Sequence, residues 1–204
     1  VNPRLTNRDL QALERRRQIL DVSRKLFLDK GYHATSMRMI NNAVGLSEAL
    51  TYHYFPDGKL QIFKAVVEAG HEKSIRQIQN VIQAFRDDMP LKAALITYGK
   101  TVHSLFSAED SVIPLVIREH RLLDKSEYTF INETTQQLID TFTSYLTESP
   151  EIKPKLRTFD LRLAILQYTY NFTTSSIFGE SLFNENYDEY VQKLADLTIK
   201  LWCE

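Results

Sequence analysis

The sequence predicts an all-α protein of roughly nine helices, on three observations. Glycine and proline are scarce, with six of each in 204 residues, so few breakers interrupt the chain. The apolar residues usually recur at spacings of three and four, the period of a helix face. No Asn-Gly or Asp-Gly pair lies between alternating apolar runs, and Asp57-Gly58 is followed by a helical pattern instead. Hydrophobic residues at 43% and charged residues at 25% suit a folded core and exclude wholesale disorder. No apolar run approaches the roughly 18 residues of a membrane span. The stretch VNPRLTNRDLQ lacks the apolar core of a signal peptide, and the single cysteine, Cys203, can form neither an internal disulfide nor a Cys-based zinc site. A soluble, reduced, cytoplasmic protein without a membrane partner is expected.

Residues 1–9 read as a frayed arm. The first helix is expected from about Leu10 to Lys30, with Ile19, Val22, Leu26 and Phe27 as its apolar stripe and Gly31 as its C-terminal cap. A short helix follows over about 36–44, capped by Thr35 or Ser36, with Met37, Ile40 and Val44 on one face and Gly45 at its end. A second short helix opens at Ser47 and ends near Tyr54, before a turn at Pro56-Asp57-Gly58. A long helix covers about 59–85, with Phe63, Val67, Ile75, Ile78 and Ile82 among its apolar positions. Asp87-Asp88-Met89-Pro90 breaks the pattern and restarts it. Further helices are read at about 90–107, 111–123, 126–148, 156–178 and 186–203.

The two short helices meet at Val44-Gly45-Leu46-Ser47, the layout of a helix-turn-helix whose second helix enters a DNA major groove. Gly45 can take the left-handed conformation of the turn, Leu46 can plug the space between the helices, and Ser47 can cap the second helix. Alone, a glycine in such a turn is a weak signal. The surrounding string is stronger: Gly31-Tyr32, Thr35-Ser36, Ile40, Ala43, Gly45-Leu46-Ser47, Tyr52-His53-Tyr54-Phe55 and Lys59 fall in one order at one spacing.

This string, over about residues 15–64, resembles the TetR family of bacterial transcriptional regulators. The remainder is similar in length and helical character only. Asn41 stands where that family usually has Ala, Glu48 where Lys or another polar residue is frequent, Ala49 where Gly is common, and Thr51 where Leu usually precedes the Tyr. The loop after Phe55 is one residue longer, which places Lys59 one step late. These departures bear on base contacts and leave the hydrophobic frame intact.

The resemblance implies a DNA-binding helix-turn-helix domain with an N-terminal arm over residues 1–58, and a helical ligand-binding and dimerisation domain over 59–204. The net charge of −1, which at face value argues against nucleic acid, fits this division. Residues 1–60 hold ten Lys and Arg against six Asp and Glu, a net +4; residues 61–204 hold fifteen against twenty, a net −5. A basic head on an acidic body is the footprint of a DNA-binding module joined to a sensing one.

The candidate DNA-binding residues are Thr35, Ser36, Ser47, Glu48, Ala49, Thr51, Tyr52, His53 and Lys59. Thr35 and Ser36 offer hydroxyls and a helix start to a phosphate, or cap the helix, or both. Tyr52 touches the DNA backbone through its phenol, as its family counterpart commonly does, or packs in the core. Glu48 accepts from a cytosine amino group or is a solvated carboxylate favoured by the helix dipole. His53 contacts a phosphate or is a partly exposed structural residue, and Lys59 would join the first N–H groups of the long helix at a phosphate. Leu50, Tyr54 and Phe55 are assigned to packing. Arg4, Arg8 and Arg15-Arg16-Arg17 form a basic segment that reaches a backbone or minor groove, or is a solvated face. Tyr52→Phe is expected to weaken binding to all sequences alike, and changes at Thr51 or Glu48 to alter sequence preference.

The later helices are rich in aromatics, including Tyr98, Phe106, Phe142, Phe159, Tyr168, Phe172 and Phe178. In the family's architecture such helices enclose an inducer pocket suited to an apolar or amphipathic ligand; aromatics at helical spacing also simply form core. The ligand-binding candidates are Tyr98, His103, Phe106, Arg118, Glu119, His120, Phe142, Tyr168 and Phe172. Tyr190, Leu194, Leu197 and Leu201 repeat at four, three and four residues, a heptad-like seam widened by Val191 and Trp202. It serves a homodimer interface or a neighbour in the same chain.

The function expected from these readings is a ligand-responsive transcriptional regulator, a repressor released from a palindromic double-stranded operator by a small-molecule inducer. The alternative is an all-helical small-ligand carrier or adaptor that has lost DNA binding. No enzyme, metal or cofactor is expected, because no Gly-rich phosphate loop, nucleophile elbow or HExxH motif is present.

Overall fold

The computed structural model describes residues 6–85, 89–152, 160–178 and 186–203, the side chains of 134 and 173–178 excepted. The described residues form nine α-helices and one 3-10 turn, with no strand. They fall into two compact units, residues 1–71 with 112–128 and residues 72–111 with 129–204, each taken within the described residues.

The first unit opens with α1, Asn7–Lys30. It starts earlier than its apolar stripe suggests because Thr6 and Asp9 form a reciprocal capping box: the Asp9 N–H donates to Thr6 Oγ1 at 3.3 Å, and the Thr6 N–H donates to Asp9 Oδ2 at 2.9 Å. The expected frayed arm is therefore helical from Asn7 onward. Ile19, Ser23 and Phe27, four residues apart, carry the buried face. Gly31 ends the helix at φ 84°, and its N–H donates to the Phe27 carbonyl.

Helix α2, Met37–Val44, begins at Ser36, whose Oγ accepts from the Met39 N–H, and ends at Gly45. Gly45 has φ 74° and ψ 33°, the left-handed conformation that a Cβ disfavours. Helix α3, Glu48–Tyr54, begins at Ser47, whose Oγ accepts from the Leu50 N–H at 3.3 Å. Phe55 is fully buried behind it. The turn through Gly58 (φ 67°) leads into α4, Lys59–Gln83.

The first stretch of α4 buries Ile62, Phe63, Val66 and Val67 in this unit, where the Phe27, Tyr32 and Phe63 rings meet at centroid distances of 5.1–5.8 Å. The single helix expected over 111–123 is split into α6, Ile113–Arg118, and a 3-10 turn, His120–Leu122, with Glu119 leaving helical geometry at φ −108° and ψ 21°. Lys64 ties α4 to the start of α7, Lys125–Thr147, through Asp124 at 2.6 Å and Glu127 at 3.1 Å. The Lys64 hydrogen bond, helped by Ser126, holds the Asp124 carboxyl well below the usual carboxylate range.

The second unit is built on α5, Leu91–Ser107, with the remaining length of α4 and α7 and with α8, Leu161–Phe178, and α9, Tyr187–Cys203. The break expected at Asp87-Asp88 and the segments 153–159 and 179–185 lie outside the described residues. Pro90 supplies no side-chain cap to α5; the Glu151 carboxylate accepts the Leu91 N–H instead, at 3.0 Å. Leu91, Ala94, Leu95, Tyr98, Val102 and Leu105 of α5 are buried, and the helix packs on both α8 and α9. At Gly99 the Phe172 ring of α8 occupies the space where a Cβ would stand, so a side chain there would collide with it.

Candidate nucleic-acid interface

Caps and a narrow core position the helix pair. Thr51 is fully buried and donates its hydroxyl to the Ser47 carbonyl at 3.3 Å. Arg16 of α1 donates to the Tyr54 carbonyl at 3.2 Å and lays its guanidinium over the Phe55 ring, 4.3 Å from the centroid. With Thr51 and Phe55 inward, Glu48, Ala49, Tyr52 and His53 are exposed on α3, as is the capping Ser47. Leu50, expected in the packing, is 39% exposed; it faces a groove of about 730 Å³ between α1 and α3 that Arg8, Arg15, His53 and Tyr54 also line. Leu10 and Leu13 are exposed on α1. Tyr54 is half-buried, and Phe55 is in the core as expected. The Tyr52 ring lies over Gly58, where a Cβ would come within 3.2 Å of it.

Two expected phosphate ligands are turned inward. Thr35 is buried, with Oγ1 2.8 Å from the Gly31 carbonyl and 3.2 Å from the Leu26 carbonyl. The Lys59 ammonium donates to the Tyr32 and Thr35 carbonyls at 3.0 and 2.8 Å and sits 4.1 Å above the Tyr32 ring. Burial lowers its pKa against a smaller opposing pull from Glu119. Lys59 thus fastens the loop between α1 and α2, with two of its three donors committed to carbonyls. Ser36 stays exposed as the cap of α2. Of the basic segment, Arg8 and Arg15 are exposed, Arg17 pairs with Glu14 at 2.9 Å, and Arg4 lies outside the described residues.

The nine ligand-binding candidates divide between the units. Arg118, Glu119 and His120 belong to the first. Arg118 donates to the Phe27 carbonyl at 2.9 Å, and Glu119, almost buried, accepts from Arg118 Nε at 3.2 Å and from the Tyr32 N–H at 3.4 Å. These residues close the end of α1, a role their sequence neighbours did not signal because the partners lie some ninety positions away. His120 is exposed, with Nδ1 3.1 Å from the Ile117 carbonyl.

In the second unit Tyr98, Phe142, Tyr168 and Phe172 are buried and packed together. The Tyr98 and Phe142 rings stack at 4.2 Å, and the Tyr168 hydroxyl donates to the Leu95 carbonyl at 3.0 Å. Burial pushes the Tyr98 phenol up to about 12. His103 is half-buried and stacks on Tyr187 at 3.8 Å; Phe106 is half-buried. Phe159 and the side chain of Phe178 lie outside the described residues.

Helix α9 carries two stripes. Val191, Ala195, Thr198 and Trp202 are buried within the unit, so Val191 and Trp202 face inward instead of widening the seam. The other stripe is half-buried at Tyr190 and Leu194 and opens to 54% exposure at Leu197 and 74% at Leu201. It borders a groove of about 180 Å³ shared with Ala164, Gln167 and Asn171 of α8, and Leu163 and Tyr170 of α8 are also exposed.

No described helix is long and apolar enough to cross a membrane, and no group of three or more metal-ligating side chains occurs among the described residues.

Residues 19–66 match the family described as bacterial regulatory proteins, tetR family. The transcriptional activator FasR of Mycolicibacterium smegmatis is 30% identical over 83 residues, a stretch that covers 40% of this chain and 37% of that protein. The matched region is thus well under half of this relative's length. Two solved structures share the fold over nearly the whole chain. AibR, crystallised with isovaleryl coenzyme A and operator DNA, superposes at a TM-score of 0.64 with 20% identity, covering 93% of this chain and 98% of that one. The TetR family transcriptional regulator PfmR from Thermus thermophilus superposes at 0.66 with 19% identity, covering 96% and 97%. The capped helix pair thus lies inside the segment that matches the tetR family of bacterial regulatory proteins, and the chain as a whole shares the fold of these two solved structures.

Proposed function

We propose that the chain is a cytoplasmic, homodimeric transcriptional regulator that binds a palindromic DNA operator as a repressor and is released by a small apolar or amphipathic ligand. Residues 1–58 serve as the DNA-binding domain and 59–204 as the ligand-binding and dimerisation domain. The carrying observation is the Ser47-capped helix α3, held from behind by Thr51 and Phe55 and presenting Glu48, Ala49, Tyr52 and His53 outward. That is the form in which a recognition helix meets a major groove. Arg8 and Arg15 beside it supply charge for phosphates, and Ser36 and Ser47 supply hydroxyls. Two such helices must meet successive grooves about 34–36 Å apart, which requires a dimer and a roughly symmetric site. The exposed Leu197 and Leu201 stripe supports a second copy as the occupant of that face.

The ligand reading rests on the aromatic-rich core of the second unit and on the structural neighbour AibR, which was crystallised with isovaleryl coenzyme A and operator DNA. Tyr98, His103, Phe106, Phe142, Tyr168 and Phe172 are the proposed ligand region. Arg118 and Glu119 hold the end of α1 in the first unit, and His120 is exposed next to them. Release follows if the ligand binds the operator-incompetent state more tightly, and α4, continuous from Lys59 to Gln83, is the proposed lever.

Electrophoretic mobility shift with the DNA upstream of the chain's own gene, repeated at rising salt, tests the reading. Binding that weakens steeply with salt is expected, because phosphate contacts release counterions. Tyr52→Phe is expected to lower affinity for specific and random duplexes by a similar factor. Salt-insensitive binding, or none to any duplex, would sink the reading.

A further inference from the structure

We infer that Glu48 and Ala49 are the base-reading pair of α3, and that each operator half-site carries a cytosine read by the Glu48 carboxylate beside a thymine whose methyl packs on Ala49. The inference rests on the DNA-binding reading above and deepens it.

The helix reads Glu-Ala-Leu-Thr-Tyr-His-Tyr, so it carries no Arg, Lys, Asn or Gln. The bidentate contacts by which Arg or Lys reads guanine and Asn or Gln reads adenine therefore have no residue on α3 to make them. Thr51, the one short hydroxyl in the helix, is removed from the surface by full burial and its bond to the Ser47 carbonyl. Tyr52, one turn further along the helix, leans on Gly58, and His53 borders the groove toward α1. What remains at the first two positions is an exposed acceptor and an exposed methyl. In a helix-turn-helix the leading residues of the second helix meet base edges. A carboxylate there accepts from the cytosine N4 amino group, and a methyl side chain favours the thymine methyl. Glu48 also repels phosphates, so it lowers affinity for every duplex that does not offer the amino group. Its charge raises specificity at the expense of general binding.

The test uses the full chain. A site is selected from random duplex DNA, and affinities are measured for it, for a version with C·G changed to T·A in both halves, for a version with uracil in place of thymine, and for random duplex. For the natural protein the T·A change is expected to weaken binding about tenfold or more, and loss of the thymine methyl to weaken it by a smaller factor. In Glu48→Ala, at an exposed position where the substitution removes both the charge and the acceptor, the T·A penalty should fall below about twofold while affinity for random duplex rises. Base preferences unchanged in Glu48→Ala overturn the inference while leaving DNA binding standing. A selected site without cytosine in its half-sites does the same. Failure to bind any duplex overturns both readings together.

Discussion

Asn41 is the one buried polar residue of α2, and its side-chain carbonyl oxygen has no hydrogen-bond partner among the described residues. A buried acceptor left unmade costs the desolvation that water would have repaid. Asn41→Ala should therefore raise the free energy of unfolding by about 1 kcal/mol, read from urea denaturation. A loss of that size instead would mean that the amide fills space the helix pair needs. The sequence marked Asn41 as unusual but could not show it buried. The same blindness applied to Thr35, Thr51 and Lys59. Each is a polar residue at a position compatible with DNA contact, and only the packing shows that Thr35 and Thr51 face inward and that Lys59 caps two carbonyls. Ser36 and Ser47 were legible because capping is local: the hydroxyl reaches an N–H three residues on.

At the scale of elements, most helices follow from apolar spacing, and the corrections come where two signals overlap. The first helix starts early because a threonine and an aspartate three residues apart close a box that apolar periodicity does not contain. The 111–123 segment splits because Arg118 and Glu119 are drawn to the end of α1, far away in sequence. In α9 two stripes with the same four-three-four spacing interleave, one from Val191 and one from Tyr190. Spacing alone cannot tell which faces the chain's own core. Burial assigns Val191, Ala195, Thr198 and Trp202 inward and leaves Leu197 and Leu201 outward. If the outer stripe is the dimer seam, Leu197→Glu with Leu201→Glu should yield a folded monomer by sedimentation, with helical content intact and operator affinity reduced at least about tenfold. A dimer that survives both charges would place the interface elsewhere.

At the scale of the whole molecule, the buried phenols of the second unit make its stability pH-dependent. Tyr98 is pushed up to about 12 and Tyr168 is raised further in the same direction, both chiefly by burial. The unfolded chain would lose these protons near pH 10, its ordinary tyrosine value. The folded state holds them longer, so the stability they confer is full below about pH 10 and declines as pH rises toward 12. Tyrosinate absorbance and helical circular dichroism followed together should show the last tyrosines ionising only as helix is lost. Complete ionisation with the helices intact would contradict this. The helical class, the capped turn at Gly45 and Ser47, and the net positive charge of the first sixty residues were legible in the residues alone. These depend on contacts within one or two helical turns, or on composition alone. Which polar residues remain available to a partner, which α9 stripe is left open, and the service of Arg118 and Glu119 to the first unit emerge only from the packed fold. Each of those depends on groups tens of residues apart meeting in space, and side-chain burial is a property of the neighbours, not of the residue that is buried.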